Sequence, residues 1–176
     1  MSHIHLTCLR EWLNSRRSMK EQENIKTYCW KILECELCKV RFPSKVFPNG
    51  VVVTEKQKFT KKQLQVMGHP IDILDYDRPD EDFIVLESVT LQNIKIIHVI
   101  QMQNRDLIKI GRGQDAEIRV TDISVSRFHA RINKSLSGEY FVKDNRSKFG
   151  TLIQVRKPLK ILRNLTHYLQ MGRTLL

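Results

Sequence analysis

The chain has 176 residues, enough for a sizeable core, and its 41% share of apolar residues is near the globular average and argues against wholesale disorder. No apolar run reaches the ~18 residues that a membrane-spanning helix needs, and the first residues, M-S-H-I-H-L-T-C, lack the basic-then-apolar order of a signal peptide. The net charge of +11 is uneven, because the excess is +7 in residues 1–62, −5 in residues 63–100 and +9 in residues 101–176.

Two pairs of potential metal ligands lie near the start of the chain. His5 and Cys8 are separated by two residues, as are Cys35 and Cys38, so each pair can converge on one small cation. Without a signal peptide we expect a reducing compartment, in which cysteines are thiols or metal ligands before they are disulfides. Cys29 fits neither pair and stands between two aromatic residues, which favours a small core residue.

Between the two pairs, the apolar pattern predicts one short amphipathic helix. Leu9, Trp12 and Leu13 recur at helical spacing, with charged and polar residues on the other faces. Residues 14–27 are polar and are predicted to form a loop.

The stretches H-L-T-C-L-R-E-W-L and E-C-E-L-C-K resemble the second half of a RING-CH (RING-variant) zinc domain, a family that recruits ubiquitin-conjugating enzymes. The resemblance implies Zn²⁺ ligands at His5, Cys8, Cys35 and Cys38, and enzyme contacts at Trp12, Leu37 and Lys39.

The family's first four cysteines have no counterpart in this sequence, and each zinc site of the family takes two of its ligands from them. The chain therefore holds half of each site, and an incomplete tetrahedral site loses most of its metal affinity. Three interpretations stay open. The four ligands regroup around one zinc and close a 26-residue loop between Cys8 and Cys35, or the chain is a truncated form of a longer protein, or the cysteines are unmetallated thiols and His5 is a surface residue.

Residues 43–82 are predicted to connect two parts of the chain. Asn49-Gly50 is a turn signal, and the β-branched residues 51–54 can pair with residues 40–42 or 46–47 as a small hairpin. Residues 71–76 are a short strand candidate, and the acidic residues after them form the predicted linker. The predicted division is thus a zinc segment at 1–42, a connector at 43–82 and a β-rich domain at 83–176.

The last part of the chain predicts many short strands separated by turn residues, a density that indicates a β-sandwich. Residues 96–100, I-I-H-V-I, form the most apolar stretch of the chain and suit a strand that is buried on both faces. The predicted strands are residues 83–87, 94–101, 107–110, 116–120, 129–133, 140–143, 151–155, 160–162 and 168–170.

Three loops of this part carry polar and basic residues in a recognisable order. They contain Gly111-Arg112, then S-R-F-H at residues 126–129, then S-K-F-G-T at residues 147–151. This order and spacing resemble the forkhead-associated (FHA) domain, which binds phosphothreonine peptides. The expected fold class is therefore mainly β, an FHA-like β-sandwich preceded by a small, truncated α+β RING-like zinc segment. The last residues resemble the family's final turn and the start of a final strand that is cut short.

A phosphothreonine carries nearly two negative charges and three acceptor oxygens, so its receptor needs charged donors. By resemblance, Arg112 and Ser126 are the phosphate-binding positions and Lys148 lies beside them. Arg127 either faces the ligand or pairs with Asp122 or Asp144. The remaining expected contacts and supports are Phe149 and Thr151 at the peptide and Gly111, His129 and Gly150 in structural roles.

Phe149 departs from the family pattern, which often has asparagine at this position. That amide bonds the peptide backbone, and a phenyl ring offers no such donor or acceptor. We therefore expect phosphate capture to survive while recognition of the peptide backbone is weakened, at a cost of ~1–3 kcal/mol.

The leading functional hypothesis is a phosphothreonine-dependent interaction module of the nucleus or cytoplasm. The alternative is a ubiquitin ligase that uses the FHA-like domain to select phosphorylated substrates, without a catalytic nucleophile of its own. Nucleic acid would also be attracted to the basic excess, but we expect it less. Gly111-Arg112-Gly113 lacks the Gly-Lys-Ser/Thr of a nucleotide-binding P-loop.

Overall fold

The computed structural model describes residues 4–31, 33–53, 59–89, 94–103, 105–158, 160, 163–164, 166, 168–171 and 174–175. The helices are α1 (Leu6–Ser15) and α2 (Lys61–Met67). The strands are β1 (Arg17–Gln22), β2 (Ile25–Trp30), β3 (Lys45–Val46), β4 (Val52–Val53), β5 (Ile71–Asp72), β6 (Phe83–Glu87), β7 (Lys95–Gln101), β8 (Leu107–Gly111), β9 (Ile118–Arg119), β10 (Ala130–Lys134), β11 (Tyr140–Asp144), β12 (Gln170–Met171) and β13 (Thr174–Leu175).

Two four-stranded sheets form the sandwich, and the predicted mainly β fold is confirmed. The first sheet has the order β1-β2-β7-β6 and is antiparallel throughout. The second sheet has the order β11-β10-β8-β9, in which the short β9 runs parallel to β8. Strands predicted at 83–87, 94–101, 107–110 and 140–143 match β6, β7, β8 and β11 to within one residue.

The β7 strand lies in the middle of the molecule, as its unbroken apolar run predicts. Ile97 and Val99 face one core, in which Tyr28, Trp30 and the buried face of α1 pack. Ile100 faces the other core, which fills the space between the two sheets. Because successive side chains alternate between the faces of a strand, the first sheet separates two apolar layers.

The predicted loop at residues 14–27 is wrong, because β1 and β2 form a hairpin there and β2 pairs with β7 along six residues. Ile25 of β2 joins the core between the sheets, together with Ile108 and Ile132 of the second sheet. Residues 17–30 and 83–101 thus share one sheet, while the proposed division at 42/43 and 82/83 stays a prediction.

The connector contains a small sheet of β4, β3 and β5, so the predicted hairpin of residues 51–54 with 46–47 is confirmed in its pairing of Val46 with Val52. The C-terminal end of the connector is attached to the first sheet at Asp77. The Tyr28 hydroxyl donates to the Asp77 carboxylate at 3.0 Å and accepts from the Asp77 N–H at 3.3 Å.

The predicted strand at residues 151–155 is wrong. These residues form no strand, and Leu152, Ile153 and Val155 are exposed. Of the predicted strand at 160–162, residues 161 and 162 lie outside the described residues. The predicted strand at 168–170 overlaps β12 at Gln170 alone, and β12 pairs with β13. In the described part of the chain, no helix has the length and apolar character to cross a membrane.

Candidate functional site: three loops at one end of the sandwich

The topology of the second sheet brings three loops to one edge. β10 runs antiparallel to both β8 and β11, so the ends of β8 and β11 meet the beginning of β10. The loops that follow β8, precede β10 and follow β11 are therefore neighbours. They comprise residues 111–116, 121–129 and 145–151, the segments that the sequence motif singled out.

Hydrogen bonds join these three loops directly. The Arg112 N–H donates to the Ser126 carbonyl at 3.0 Å, and the Gly113 N–H donates to the Arg127 carbonyl at 2.9 Å. The Lys148 N–H donates to the Ser126 hydroxyl oxygen at 3.0 Å. Ser126 thus contacts both other loops, and these hydrogen bonds bring the predicted residues Arg112, Ser126 and Lys148 onto adjacent loops.

Gly111 is required by this close approach. A Cβ atom at Gly111 would lie 2.1 Å from the Arg127 carbonyl oxygen, far inside van der Waals contact. Any side chain would therefore push the first two loops apart and break the Arg112–Ser126 hydrogen bond.

The hydroxyl of Ser126 is oriented by its surroundings. Its oxygen accepts the Lys148 N–H, so its own proton can point toward a ligand. The Ser126 N–H donates to Nδ1 of His129 at 3.2 Å. The imidazole supports the loop of Ser126, and the His129 N–H donates to the carbonyl of Ile110, just before the Gly-Arg pair, at 2.9 Å.

Three cations are exposed around Ser126. Arg112 gives its Nε–H to the Val125 carbonyl at 3.3 Å, which leaves its terminal nitrogens for a ligand. Among the described residues, no ion pair involves Arg112, Arg127 or Lys148, so the pairing of Arg127 with Asp122 or Asp144 is not observed. An anion would therefore meet charges that no carboxylate neutralises.

Asp144 at the end of β11 supports the third loop, a role that sequence reasoning missed. Its carboxylate accepts the Ser147 hydroxyl at 2.6 Å, the Thr151 hydroxyl at 2.7 Å and the Ser147 N–H at 3.0 Å. These donors, led by the Ser147 hydroxyl, lower the pKa of Asp144 from 3.8 to about 2. An aspartate followed three residues later by serine is a known turn-forming pattern, and this signal could have found it.

The third loop places its remaining predicted residues in different roles. The Phe149 side chain is 64% exposed, and its ring centroid lies 5.1 Å from the Lys148 ammonium. The Thr151 hydroxyl is bonded to Asp144 and helps to close the loop. Gly150 has φ +73°, a conformation that favours glycine, in line with its predicted structural role.

The predicted zinc ligands do not form a complete site. In the described part of the chain, which includes all four of them, no three His, Cys, Asp or Glu side chains are placed to hold a metal ion. The Cys35–Cys38 segment is a turn in which the Lys39 N–H donates to the Cys35 carbonyl at 2.9 Å. The backbone N–H groups of Cys38 and Leu37 lower the pKa of the Cys35 thiol. Two cysteines alone are half of the four ligands that a structural zinc ion takes.

Of the residues expected to contact a conjugating enzyme, Trp12 is packed against a core and Leu37 is exposed. Trp12 packs edge-on against Phe42, with ring centroids 5.7 Å apart, and belongs to the first core. Leu37 is 83% exposed, and Lys39 follows it with φ +59°.

A cavity of 510 Å³ beside α1 lies apart from the three loops, and Asp72 in its lining is already engaged. Arg78 pairs with the Asp72 carboxylate at 3.1 Å, and Arg10 donates to the Asp72 carbonyl. We interpret this cluster as an attachment of the connector to α1.

The fold and the three loops together define a β-sandwich with exposed cations on the loops at one end. Residues 108–172 match the FHA domain family, so the predicted FHA domain is supported there, while residues 1–42 lie outside the match. Comparisons with curated proteins and with solved structures give no match.

Proposed function

We propose that this protein is an interaction module that binds phosphothreonine-containing segments of other proteins through Arg112, Ser126 and Lys148. The observation that carries the proposal is the hydrogen-bonded assembly of the three loops, which holds Arg112, Ser126 and Lys148 on adjacent loops. FHA domains bind phosphothreonine-containing proteins, and the match over residues 108–172 supports the same ligand class here.

The physical argument is preorganisation. A phosphate group is captured best by donors that need little rearrangement, because each side chain ordered on binding costs free energy. Ser126 is held by Lys148 and His129 before any ligand arrives. Arg112 is held by its own backbone and by Nε, so its terminal N–H groups are available.

The test is a calorimetric titration with a phosphothreonine peptide and the matched threonine peptide. We expect the phosphorylated peptide to bind at least tenfold more tightly, and Arg112→Ala to weaken it by about 10–100-fold, as befits a lost charged hydrogen bond. Lys20→Ala, on the exposed edge strand β1, is the matched control and should have no effect. Equal affinity for both peptides, or no binding of either, would reject the proposal.

We further propose that Phe149 weakens recognition of the peptide backbone. Its ring lies under the Lys148 ammonium and presents no amide to a ligand. Phe149→Asn should therefore tighten phosphothreonine-peptide binding by up to about tenfold through a recovered hydrogen bond. An unchanged affinity would refute this proposal, and a lower affinity would show that Phe149 contributes favourably.

Zinc binding and a location in the nucleus or cytoplasm stay predictions. The turn at Cys35–Cys38 supports only a two-ligand contribution to a zinc site. Metal analysis of the purified protein, compared with a Cys35→Ser/Cys38→Ser variant, tests zinc directly, and a fluorescent fusion tests location. The ubiquitin-ligase alternative is not proposed further, since no complete site is present among the described residues.

A further inference from the structure

The face of the second sheet that points away from the core carries one basic side chain on each strand. Ile108 and Ile132 face the core, so the alternating residues Lys109 and Arg131 face outward. Arg131 lies directly opposite Lys109 on one side and Lys143 on the other. Arg119 of β9 lies opposite Gly111 and completes the set, which we call the basic row: Arg119, Lys109, Arg131 and Lys143.

Such an arrangement opposes stability, because like charges directly opposite each other on neighbouring strands repel. In the described part of the chain, none of the four forms an ion pair. Glu117 lies near β9, but its carboxylate accepts the Lys109 backbone N–H at 2.9 Å and pairs with Arg105 at 3.6 Å. The Nε atom of Arg131 is buried without a hydrogen-bond partner. The row therefore lacks the anions that would stabilise it.

The basic row continues into the candidate phosphate site. β8 carries Lys109, ends at Gly111 and leads directly to Arg112. At ~3.3 Å per residue the distance from Lys109 to Gly111 is about 7 Å, and at ~4.8 Å per strand the row spans about 14 Å. An extended peptide that is held by its phosphothreonine at Arg112 covers this distance with about two to six residues.

We propose that the basic row binds acidic or additionally phosphorylated residues on one side of the phosphothreonine. The inference rests on the proposed function and narrows its ligand to phosphothreonine segments with an anionic flank. A protein segment fits better than a long nucleic acid, because the cations end on the side of the row away from the loops, where the next residues on this face, Leu107, Asn133 and Phe141, are uncharged.

The experiment compares four fluorescent peptides by anisotropy at about 0.05 M and 0.3 M salt. The first is a phosphothreonine peptide with neutral flanks. The second and third carry four glutamates before and after the phosphothreonine, respectively. The fourth is the unphosphorylated peptide with glutamates. We expect one of the two glutamate flanks to tighten binding by ~5–20-fold at low salt, and the gain to shrink at high salt. Lys109→Gln/Arg131→Gln/Lys143→Gln should remove this gain and leave the neutral-flank affinity within about twofold. Lys20→Gln is the control.

The outcomes separate the two proposals. If phosphorylation and Arg112 govern binding but neither glutamate flank changes it, the basic row is a solvated surface and this inference fails alone. If the glutamate flank binds through the basic row with or without phosphate, the row is anion-binding and the proposed function fails. If a single-stranded oligonucleotide displaces the acidic peptide and binds more tightly through the same three residues, nucleic acid is the ligand and the inference is overturned.

Discussion

Replacing Ile25 by alanine should destabilise the three loops of the candidate site, although Ile25 lies far from them in sequence. Ile25 is 2% exposed and packs in the same core as Ile108 and Ile132, the strands of which lead to the loops. Truncation of such a side chain loses apolar burial and leaves a cavity, which together cost about 2–4 kcal/mol. For a chain of this size we expect the melting temperature to fall by roughly 5–15 °C.

The assay follows two parts of the molecule in urea. Fluorescence of Trp12 and Trp30 reports on the first core, and hydrogen exchange of the β8 and β10 amides reports on the second sheet. If the hairpin and the sandwich are one cooperative unit, Ile25→Ala shifts both signals by the same free energy. Met19→Ala, at a 52% exposed position of β1, is the control and should change stability by about 0.5 kcal/mol or less.

One result would refute this reasoning. If Ile25→Ala lowers the fluorescence midpoint while exchange in β8 and β10 stays as slow as in the unsubstituted protein, the hairpin unfolds separately. The shared sheet would then be a weak association.

Three further predictions concern the site and the pH dependence of stability. The carboxylate of Asp144 has its pKa lowered to about 2, so its stabilisation is complete above its ordinary value of 3.8 and is lost as the pH falls through about 2; Asp144→Asn should flatten the urea midpoint between pH 4 and pH 2, and an unchanged slope would contradict the role of the carboxylate. Burial lowers the pKa of His98, whose Nδ1 contacts the Thr27 hydroxyl at 2.9 Å, so the unfolded chain takes up this proton first and stability should fall as the pH drops below 6.5; His98→Gln should remove that part of the slope, and a slope that persists would assign it to another group. Gly111→Ala should lower the free energy of unfolding by about 1–3 kcal/mol or more and abolish phosphopeptide binding, since the added Cβ would lie 2.1 Å from a backbone oxygen. A Cβ at Gly138 meets open space, so Gly138→Ala should cost only the strain of its φ of +82° and should still bind. Calorimetry and thermal melting check both variants.

The strands around the loops could be predicted because their signals are local. The I-I-H-V-I run of β7 and the glycine and aspartate turns near β8 and β11 are read from adjacent residues. The three-loop site was expected from the resemblance of its residues, in their order and spacing, to the FHA domain, and the structure places Arg112, Ser126 and Lys148 on adjacent loops.

The N-terminal hairpin could not be predicted in the same way. β1 has the sequence R-S-M-K-E-Q and is almost wholly exposed, so no apolar alternation distinguishes it from a loop. The turn between β1 and β2 contains Glu23 at φ +41° and lacks the glycine that would predict a turn from sequence. Pairing of β2 with β7 joins residues about seventy positions apart. The opposite error arose at residues 152–155, where β-branched and apolar residues found no partner strand, and strand propensity without a partner does not make a strand.

The pairing of β2 with β7 also has a consequence for folding kinetics and for shorter fragments of the protein. During synthesis the hairpin must wait for roughly seventy further residues before its partner strand exists, and such distant contacts slow folding. A fragment that begins at residue 83 would leave one long edge of β7 open, with Ile97 and Val99 uncovered on one face. Open apolar edges recruit other strands. We therefore expect such a fragment to aggregate, and expect soluble protein to require residues 5–30.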